Sequence, residues 1–437
     1  MSRLEDLRAL IDDGSARVGV VGLGYVGLPL ALEFVRAGHP VVGFDVDEEK
    51  IASINEGRSY IEDVASDDVA QALAGGKFSA TTDFNELARC DVINVCVPTP
   101  LTKTKDPDVS HMAKALEEIR KRLRSGQLVI LGSTTYPGTT HELFVPLLES
   151  SGLRIGEDFA LAFAPERIDP ANKKFKVREV PKVVGGETAI CTELAAKIFG
   201  AVFDEVVKVS STQSAEMVKL LENTFRAINI GLANEIALMC DRLDLDVWEV
   251  IEAAATKPYG FMKFLPGPGL GGHCIPVDPT YLAWKMKSLN FQARFIELAT
   301  EINGHMPQYV VDKVSEILNQ DRIAMNGSKV LVLGVAYKAD VSDIRESPAL
   351  DVIRLLAERG AEVSFHDSYV GEISVEGRTY KNCDLTDDAL AAADVTVIVT
   401  NHADVDYARV VAGSTRIYDT RNATHGVPGA RDKVQKL

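Results

Sequence analysis

Short runs of β-branched and aliphatic residues alternate, from Arg17 onward, with longer stretches in which apolar positions recur every three or four residues. The short runs predict strands over Arg17–Val21, Val41–Asp45, Val92–Val97, Leu128–Gly132, Ala160–Phe163 and Lys182–Val184. Between them the helical spacing predicts helices such as Leu28–Ala37, Ala113–Arg124 and Thr139–Glu149. Strands that are apolar throughout, separated by amphipathic helices, form a parallel sheet covered on both faces. This first unit ends near Val209.

The pattern then changes. From Ser214 to about Asp241 the chain is nearly free of Gly and Pro, with Met217, Leu220, Leu221, Ile228, Leu232 and Ile236 at helical spacing. Such a helix is roughly 40 Å long, which suits a spacer between domains and an oligomer contact. Helices over Val247–Ala255, Pro279–Lys287 and about Arg294–Asn303 follow, interrupted by the loop PGPGLGGHCIP. At Lys329 the first rhythm returns: a strand over 329–337, a helix over Pro348–Arg359, a strand over 362–367, a helix over Asp387–Ala392, and strands over 395–400 and 416–419. The chain reads as α/β, then helical, then α/β, divided into 1–209, 210–315 and 316–437. The two α/β parts share too little sequence to count as a repeat.

Composition narrows the function classes. The 437 residues suffice for two to four domains, and 46% hydrophobic with 25% charged residues is globular. With 63 acidic against 47 basic residues the net charge is −16, which disfavours a nucleic-acid binder but leaves room for a small anionic ligand held by a few Lys or Arg. The six cysteines include no C-x-x-C pair, against zinc ribbons and disulfide frameworks. The opening MSRLEDLRALIDDG has no apolar core of a signal peptide, and no stretch approaches 18 uncharged apolar residues. A cytoplasmic protein without a membrane span is expected.

The first chemistry-bearing motif is Gly22-x-Gly24-x-x-Gly27, directly after a strand and directly before a helix, with Asp45 closing the next strand 21 residues beyond Gly24. Gly22 permits the tight turn, Gly24 lets a pyrophosphate approach the backbone, and Gly27 allows close helix–sheet packing. The helix N-terminus supplies amide donors, and Asp45 accepts ribose hydroxyls while repelling a 2′-phosphate. The motif predicts NAD rather than NADP.

A second motif is Gly267-Pro-Gly269-Leu-Gly271-Gly272-His273-Cys274, followed by Asp278. Four glycines in six residues free the backbone for close approach by a ligand, and one thiol follows directly. Cys274 is therefore the candidate reactive cysteine, with His273 a packing residue and Asp278 a partner for water or a nearby Lys. Cys90, Cys96, Cys191, Cys240 and Cys383 are expected to be small buried hydrophobes. Lys219 and Asn223 lie at i, i+4 on one face of the long helix, where apolar neighbours would desolvate the ammonium and suit it to an oxyanion. Glu166 and Arg167 after ALAFA, Thr134 after LVILGS and Thr99 in VCVPTP sit at the carboxyl edge of the sheet, where ligands bind in doubly wound folds. An ion pair between Glu166 and Arg167 is the plain alternative to a catalytic carboxylate. Tyr337, Lys338 and Arg345 hold the equivalent edge of the last unit, where the two basic side chains could grip a diphosphate.

With GLGYVGLPLA, CVPTP, STTYPGTT, APER, AEMVKLLENTFRAINIGLANE, PGPGLGGHCIPVDP and YKADVSDIRESPAL in this order, the chain resembles the nucleotide-sugar dehydrogenases, from Val18 to about Asp419. TKPYGF, LGGHCIPVDP and RAINIGLANE make it most similar to the branch acting on UDP-N-acetylhexosamines. The resemblance implies two Rossmann-like doubly wound parallel-sheet domains joined by a central long-helix domain that forms a homodimer. It implies a four-electron oxidation of a sugar C6 alcohol to a carboxylate with two NAD+ and one water, for cell-surface polysaccharide precursors. In that chemistry Cys274 would form a thiohemiacetal and then a thioester. Lys219 and Asn223 would hold the oxyanion and water, Asp278 would be their partner, and Glu166 would act as general acid/base with Thr134 near the water. Gly22, Leu23, Gly24, Tyr25, Val26, Gly27, Asp45, Lys50, Pro98, Thr99, Thr134 and Arg345 would meet the cofactor. Glu166, Arg167, Lys219, Asn223, Tyr259, Phe264, Gly267, Gly269, Gly271, Tyr337 and Lys338 would meet the UDP-sugar.

The glucose-oxidising branch carries an Arg near Pro258 and a Lys at Val277, which this sequence lacks. UDP-N-acetylglucosamine is therefore the expected substrate, with UDP-N-acetylmannosamine, UDP-glucose and GDP-mannose as alternatives. The altered loop TKPYGFMKF, with the aromatic face and hydroxyl of Tyr259, is the candidate site for the acetamido group. A non-catalytic nucleotide sensor is the remote alternative, set against by Cys274, Lys219, Asn223, Glu166 and Asp278 occurring together.

Overall fold

The structure, a computed structural model, describes residues 3–61, 64–102, 106–167, 175–272 and 274–437. His273 lies outside the described residues. Two compact units are present: Met1–Glu222 with Thr280–Asn290, and Asn223–Pro279 with Phe291–Leu437. The helix Thr212–Leu243, two residues longer at each end than the apolar spacing predicts, contributes residues to both.

The first unit is built on eight strands: β1 (Val18–Val21), β2 (Val41–Phe44), β3 (Phe78–Thr81), β4 (Val92–Val95), β5 (Leu128–Leu131), β6 (Ala160–Phe163), β7 (Lys182–Gly186) and β8 (Val206–Lys208). Their order is β3-β2-β1-β4-β5-β6-β7-β8. The first six run parallel, as the continuous apolar character of β1, β2, β4, β5 and β6 predicts. Strand β7 departs from that expectation: it pairs antiparallel with β6, Ala162 opposite Gly186 and Phe163 opposite Gly185. A parallel return needs a crossover, usually a helix. The described part of the β6–β7 link holds only the short turn Val177–Glu179. β3 and β8 escape the sequence reading because they are half-exposed or exposed edge strands. The charged N-terminal run forms the helix Arg3–Asp12, which buries Leu4, Leu7 and Ile11 in the same core as Phe34 and Phe199.

The second unit carries a parallel five-stranded sheet of β9 (Lys329–Leu333) and β10 (Glu362–His366), the hairpin β11 (Glu372–Val375) with β12 (Arg378–Lys381), and then β13 (Val395–Ile398), β14 (Ile417–Asp419) and β15 (Val434–Lys436). The sheet order β10-β9-β13-β14-β15 is a doubly wound arrangement with its switch point between β9 and β13. The strand expected over 329–337 ends at Leu333 because Gly334 turns the chain with φ +80°. The helix expected to end at Asn303 continues from Arg294 to Gln320 through Pro307. Pro307 has no N–H for the Asn303 carbonyl. Gly269 packs there, its Cα so placed that an added Cβ would lie 3.4 Å from that oxygen.

The two sheets repeat one device that their sequences conceal. After β1, Gly22 (φ +91°) donates to Phe44 O, and Asp45 at the end of the neighbouring strand accepts from Leu23 N–H at 2.9 Å. After β9, Gly334 donates to His366 O, and Asp367 accepts from Val335 N–H at 2.7 Å and Ala336 N–H at 3.1 Å. Asp367 also accepts from the amides of Tyr369 and Val370 and pairs with His402 Nε2 at 2.9 Å. Asp340 N–H donates to Nδ1 of that imidazole, so Nε2 carries the proton.

Candidate active site

The turn after β1 assigns each glycine a distinct task. A Cβ on Gly22 would stand 2.5 Å from Cys96 O, and one on Gly27 would stand 1.8 Å from Gly22 O. A Cβ on Gly24 would meet nothing within 4 Å. Gly22 and Gly27 are thus required by the fold, whereas the space over Gly24 is open for a ligand. No side chain caps the helix Gly27–Arg36; Leu28 and Leu30 N–H already donate to Gly24 O and Val26 O and Pro29 has no N–H, so an anion here would be met by the amides at the start of the turn and helix. Asp45 is buried, accepting from Leu23 and, at 3.1 Å, from Asp47 N–H, with Lys50 Nζ at 4.0 Å. Two bonds leave a carboxylate acceptor capacity for a ribose diol. These residues fit a dinucleotide. Tyr60, absent from the sequence-derived set, donates its hydroxyl to Leu23 O at 2.6 Å and braces the same turn. Burial pushes that phenol above its ordinary range.

Along the carboxyl edge of the same sheet, Pro98 is exposed and Thr99 buried. Tyr281, fully buried, donates its hydroxyl to the Thr99 and Pro100 carbonyls at 3.0 and 3.1 Å. Thr134 is half-buried and precedes a turn that Glu216 of the long helix holds from the side. Glu216 accepts from Gly138 N–H at 2.6 Å, from Thr140 N–H at 2.9 Å and from Thr140 Oγ1 at 2.6 Å. Its burial nonetheless pushes the carboxyl up to about 7. The sequence reading passed over Glu216; its only signal was a carboxylate three residues before Lys219 inside an apolar run.

Glu166 is buried after β6, but its charged partner is Lys182 on β7, at 3.2 Å, not Arg167. Arg167 gives Glu166 only its backbone N–H, at 2.7 Å. Its guanidinium is held by Pro181 O and Glu222, and its buried Nε has no partner. Lys219 is 8% exposed, and no carboxylate among the described residues pairs with it. A buried ammonium without a counter-charge is costly, and an anionic ligand removes the cost.

In the second unit, Asn223 donates to Asp278 at 2.5 Å, both buried. The Asp278 amide in turn donates to Cys274 O at 2.8 Å, so the turn that presents the thiol is tied to the long helix. Cys274 is half-buried, while Cys90, Cys96, Cys191 and Cys240 are buried. Burial pushes Cys90 and Cys96 up to about 12, which keeps them inert. Cys383 is half-buried and points its thiol at Phe365 O.

In the glycine loop the Cβ sides of the glycines face protein. A Cβ on Gly271 or Gly272 would strike the Tyr337 side chain at 2.7 or 2.8 Å, and one on Gly267 would strike the Arg421 guanidinium at 2.6 Å. On that side the absence of side chains seats the loop on the carboxyl edge of the second sheet. Gly272 N–H donates to Arg345 O there, and Arg345 is clamped by Asp343 at 2.6 Å. Lys338 is half-buried beside Tyr337. Arg421, which donates Nε–H to Val399 O at 2.8 Å, belongs to this edge and lacked any motif to announce it. Tyr259 is 72% exposed beneath Lys257 Nζ, and Phe264 stacks edge-on against Phe225.

Family comparison agrees with this layout. The descriptions "UDP-glucose/GDP-mannose dehydrogenase family, NAD binding domain", "central domain" and "UDP binding domain" match residues 16–203, 213–305 and 331–426. The chain belongs to the UDP-glucose/GDP-mannose dehydrogenase family. It is similar to a UDP-N-acetyl-D-glucosamine 6-dehydrogenase of Pseudomonas aeruginosa, 40% identical over 81% of this chain and 83% of the relative. The solved structure of a UDP-D-ManNAc dehydrogenase from Pyrococcus horikoshii superposes with a TM-score of 0.88, 34% identity and coverage of 96% and 99%. That of an NDP-N-acetyl-D-galactosaminuronic acid dehydrogenase from Methanosarcina mazei Go1 gives 0.84, 30% identity and coverage of 100% and 97%.

The dehydrogenase is therefore an NAD-dependent oxidoreductase with a UDP-sugar substrate, and the turn over Gly22–Gly27 lies in its NAD-binding domain. No helix among the described residues is long and apolar enough to cross a membrane.

Proposed function

We propose that this dehydrogenase oxidises the C6 hydroxyl of a UDP-N-acetylhexosamine, UDP-N-acetylglucosamine foremost, to the uronic acid, working in the cytoplasm as a homodimer for polysaccharide precursors. The segments 1–209, 210–315 and 316–437 are assigned cofactor, nucleophile and nucleotide in turn. The observation that carries the reading is Lys219: a buried ammonium with no carboxylate partner among the described residues is matched to an oxyanion formed during reaction. The name of the Pseudomonas aeruginosa relative favours the glucosamine configuration. The name of the Pyrococcus horikoshii structure favours mannosamine as the second reading.

When bound, NAD supplies the hydride acceptor for both oxidations. The first oxidation leaves an aldehyde, which lacks a carbon poised to give a second hydride. The Cys274 sulfur adds to that carbonyl, and the thiohemiacetal so formed bears the hydrogen that the second oxidation removes, leaving a thioester. Water then attacks the thioester carbon: a C–O bond forms, the C–S bond breaks, and the water proton passes to Glu166. Lys219 opposes the charge on the tetrahedral oxygen, Asn223 is aimed by Asp278, and Thr134 holds water. Lys338 and Arg421 supply positive charge for the diphosphate. One alcohol, two NAD+ and one water give one carboxylate, two NADH and three protons.

The test is a substrate panel followed at the NADH absorbance. UDP-N-acetylglucosamine is expected to exceed UDP-glucose in kcat/KM by at least tenfold and to yield two NADH per sugar, because unpaired polar groups and unfilled volume around a missing acetamide cost several kcal/mol. UDP-glucose as best substrate by tenfold would overturn the sugar assignment. Cys274→Ala should abolish net oxidation with NAD binding intact, and near-normal turnover would remove Cys274 from the chemistry.

A further inference from the structure

The reversal of β7 has a chemical counterpart. Continuing the β6–β7 register, in which Phe163 faces Gly185, by three residues sets Glu166 across from Lys182. The side chains meet there: Lys182 Nζ lies 3.2 Å from Glu166 Oε2. A β7 running parallel to β6 would not bring residue 182 to that place. Lys182 is 3% exposed, and its ammonium lies 5.1 and 5.3 Å from the ring centres of Phe199 and Phe203. The other carboxylate oxygen, Oε1, accepts from Arg167 N–H. Both oxygens are thus held, one by a fixed amide and one by a buried charge whose own position is set by two aromatic faces.

We propose that Lys182 is a positioning residue for Glu166, fixing the direction and the charge of the carboxylate that takes a proton from the hydrolytic water. The inference rests on the assignment of Glu166 as that base. Stability alone does not require the pair, since a buried ion pair is commonly replaceable by apolar residues without loss. Here the surroundings of Lys182 are already apolar. Phe199 and Phe203 would accept a hydrophobic side chain, so a lysine at this position is explained by what it does to Glu166. The ionisable groups around the carboxylate include Arg167 beside it, Glu222 on the long helix and Cys96 at the end of β4. The Arg167 guanidinium is turned away to Pro181 O and Glu222. Cys96 is kept neutral by burial. Among the described residues, Lys182 places its charge directly on a carboxylate oxygen, at 3.2 Å.

The step served is the last one, in which the C–O bond forms, the Cys274 sulfur leaves as thiolate and Glu166 receives the water proton. Without the counter-charge a buried carboxylate becomes harder to ionise, so the base is lost from the acid side. Lys182→Met keeps length and packing and removes the charge. It is expected to move the acid limb of the kcat–pH profile up by about one unit or more. Hydrolysis then limits turnover, and the first turnover should appear as a burst of two NADH per active site ahead of a slow steady state. NAD affinity should stay within about twofold, well below the roughly tenfold effect that a one-unit shift represents.

Lys182→Arg restores the charge and should restore the limb, even if kcat stays low because the fork aims the carboxylate differently. In a Glu166→Gln background, Lys182→Met should add less than about twofold to the loss, as coupled positions do. A parental pH limb and no burst in Lys182→Met, with only the melting temperature lowered, would overturn the proposal and leave Lys182 a packing residue. If Lys182→Met does not fold, Lys182→Arg decides alone: a limb displaced despite the retained charge contradicts the role. Failure of the underlying assignment looks different, because Glu166→Gln would then keep parental kcat and pH dependence.

Discussion

Gly24→Ala and Gly27→Ala differ by one methyl group each, in one turn, and the structure predicts opposite kinds of damage. At Gly27 the new Cβ would stand 1.8 Å from Gly22 O and 2.9 Å from its carbonyl carbon. Carbon and oxygen rest at about 3.3 Å or more, so roughly 1.5 Å of backbone movement is demanded. Neither side is a flexible chain end: one is the turn with φ +91° and the other the first residue of a helix. Overpacking costs about 1–3 kcal/mol, and backbone on both sides places this substitution at about 3. For a unit of this size that is a fall in melting temperature of about 6–12 °C. At Gly24 the new Cβ meets nothing within 4 Å, so melting should change by no more than about 2 °C. The methyl group then occupies the approach of the pyrophosphate, and NAD affinity should fall at least about tenfold, or about 1.4 kcal/mol. Thermal unfolding by circular dichroism without ligand and calorimetric titration of NAD measure the two effects separately. Parental NAD affinity in Gly24→Ala, or parental melting in Gly27→Ala, would refute the division of labour.

Three further outcomes follow from the site. Lys219→Met should lower kcat by about 10²–10³ while NAD affinity holds, the loss expected when a preorganised oxyanion partner is removed; a steady-state kcat within threefold of the parent contradicts its role. Asp45→Ala should narrow the NAD-over-NADP ratio of kcat/KM by at least about tenfold, and an unchanged ratio would show that another group reads the ribose. Glu216 gives a pH dependence of stability. Its carboxyl, ordinarily near 4.5, is raised to about 7 in the folded state by burial. A raised folded value means that its contribution is whole below about 4.5 and lost as pH rises through about 7. The loss is on the order of 3 kcal/mol. The parental melting temperature should therefore decline across that window and that of Glu216→Gln should decline less; equal slopes would exclude Glu216 as the source.

Much of this was legible in the chain. Period-3.6 and continuous apolar runs placed β1, β2, β4, β5 and β6, and the spacing of Gly22, Gly24, Gly27 and Asp45 placed the cofactor turn. What stayed hidden was direction and partnership. The apolar run at Lys182 reads identically whichever way the strand runs, so neither the reversal of β7 nor the Glu166–Lys182 pair could be read, and Arg167, adjacent in sequence, stood in as the obvious partner. The glycines at 267, 269, 271 and 272 announced a close approach without saying by what; on their Cβ sides stand Arg421, Pro348 and Tyr337. The helix expected over about Arg294–Asn303 runs on through Pro307 to Gln320, because a neighbouring loop that nothing local reveals packs at the freed carbonyl. Arg421 and Glu216 are single polar residues without a motif, and only long-range contacts single them out.

The paired acids at the ends of β2 and β10 bear on how this enzyme could be redesigned. Asp367 receives four backbone amides and an imidazole, so its lone pairs are all engaged and none is left for a ribose diol, although its glycine has the same geometry. Asp45 receives two amides and stays open. One of those two, however, is Leu23 N–H, inside the turn that cradles the cofactor. An engineer who swaps Asp45 to admit NADP removes a brace as well as a discriminator. Tyr60, on the Leu23 carbonyl, is then the hydroxyl left to keep the turn in shape. Cofactor exchange in this scaffold is accordingly a two-site problem: a new 2′-phosphate partner must come with a replacement acceptor for the Leu23 amide.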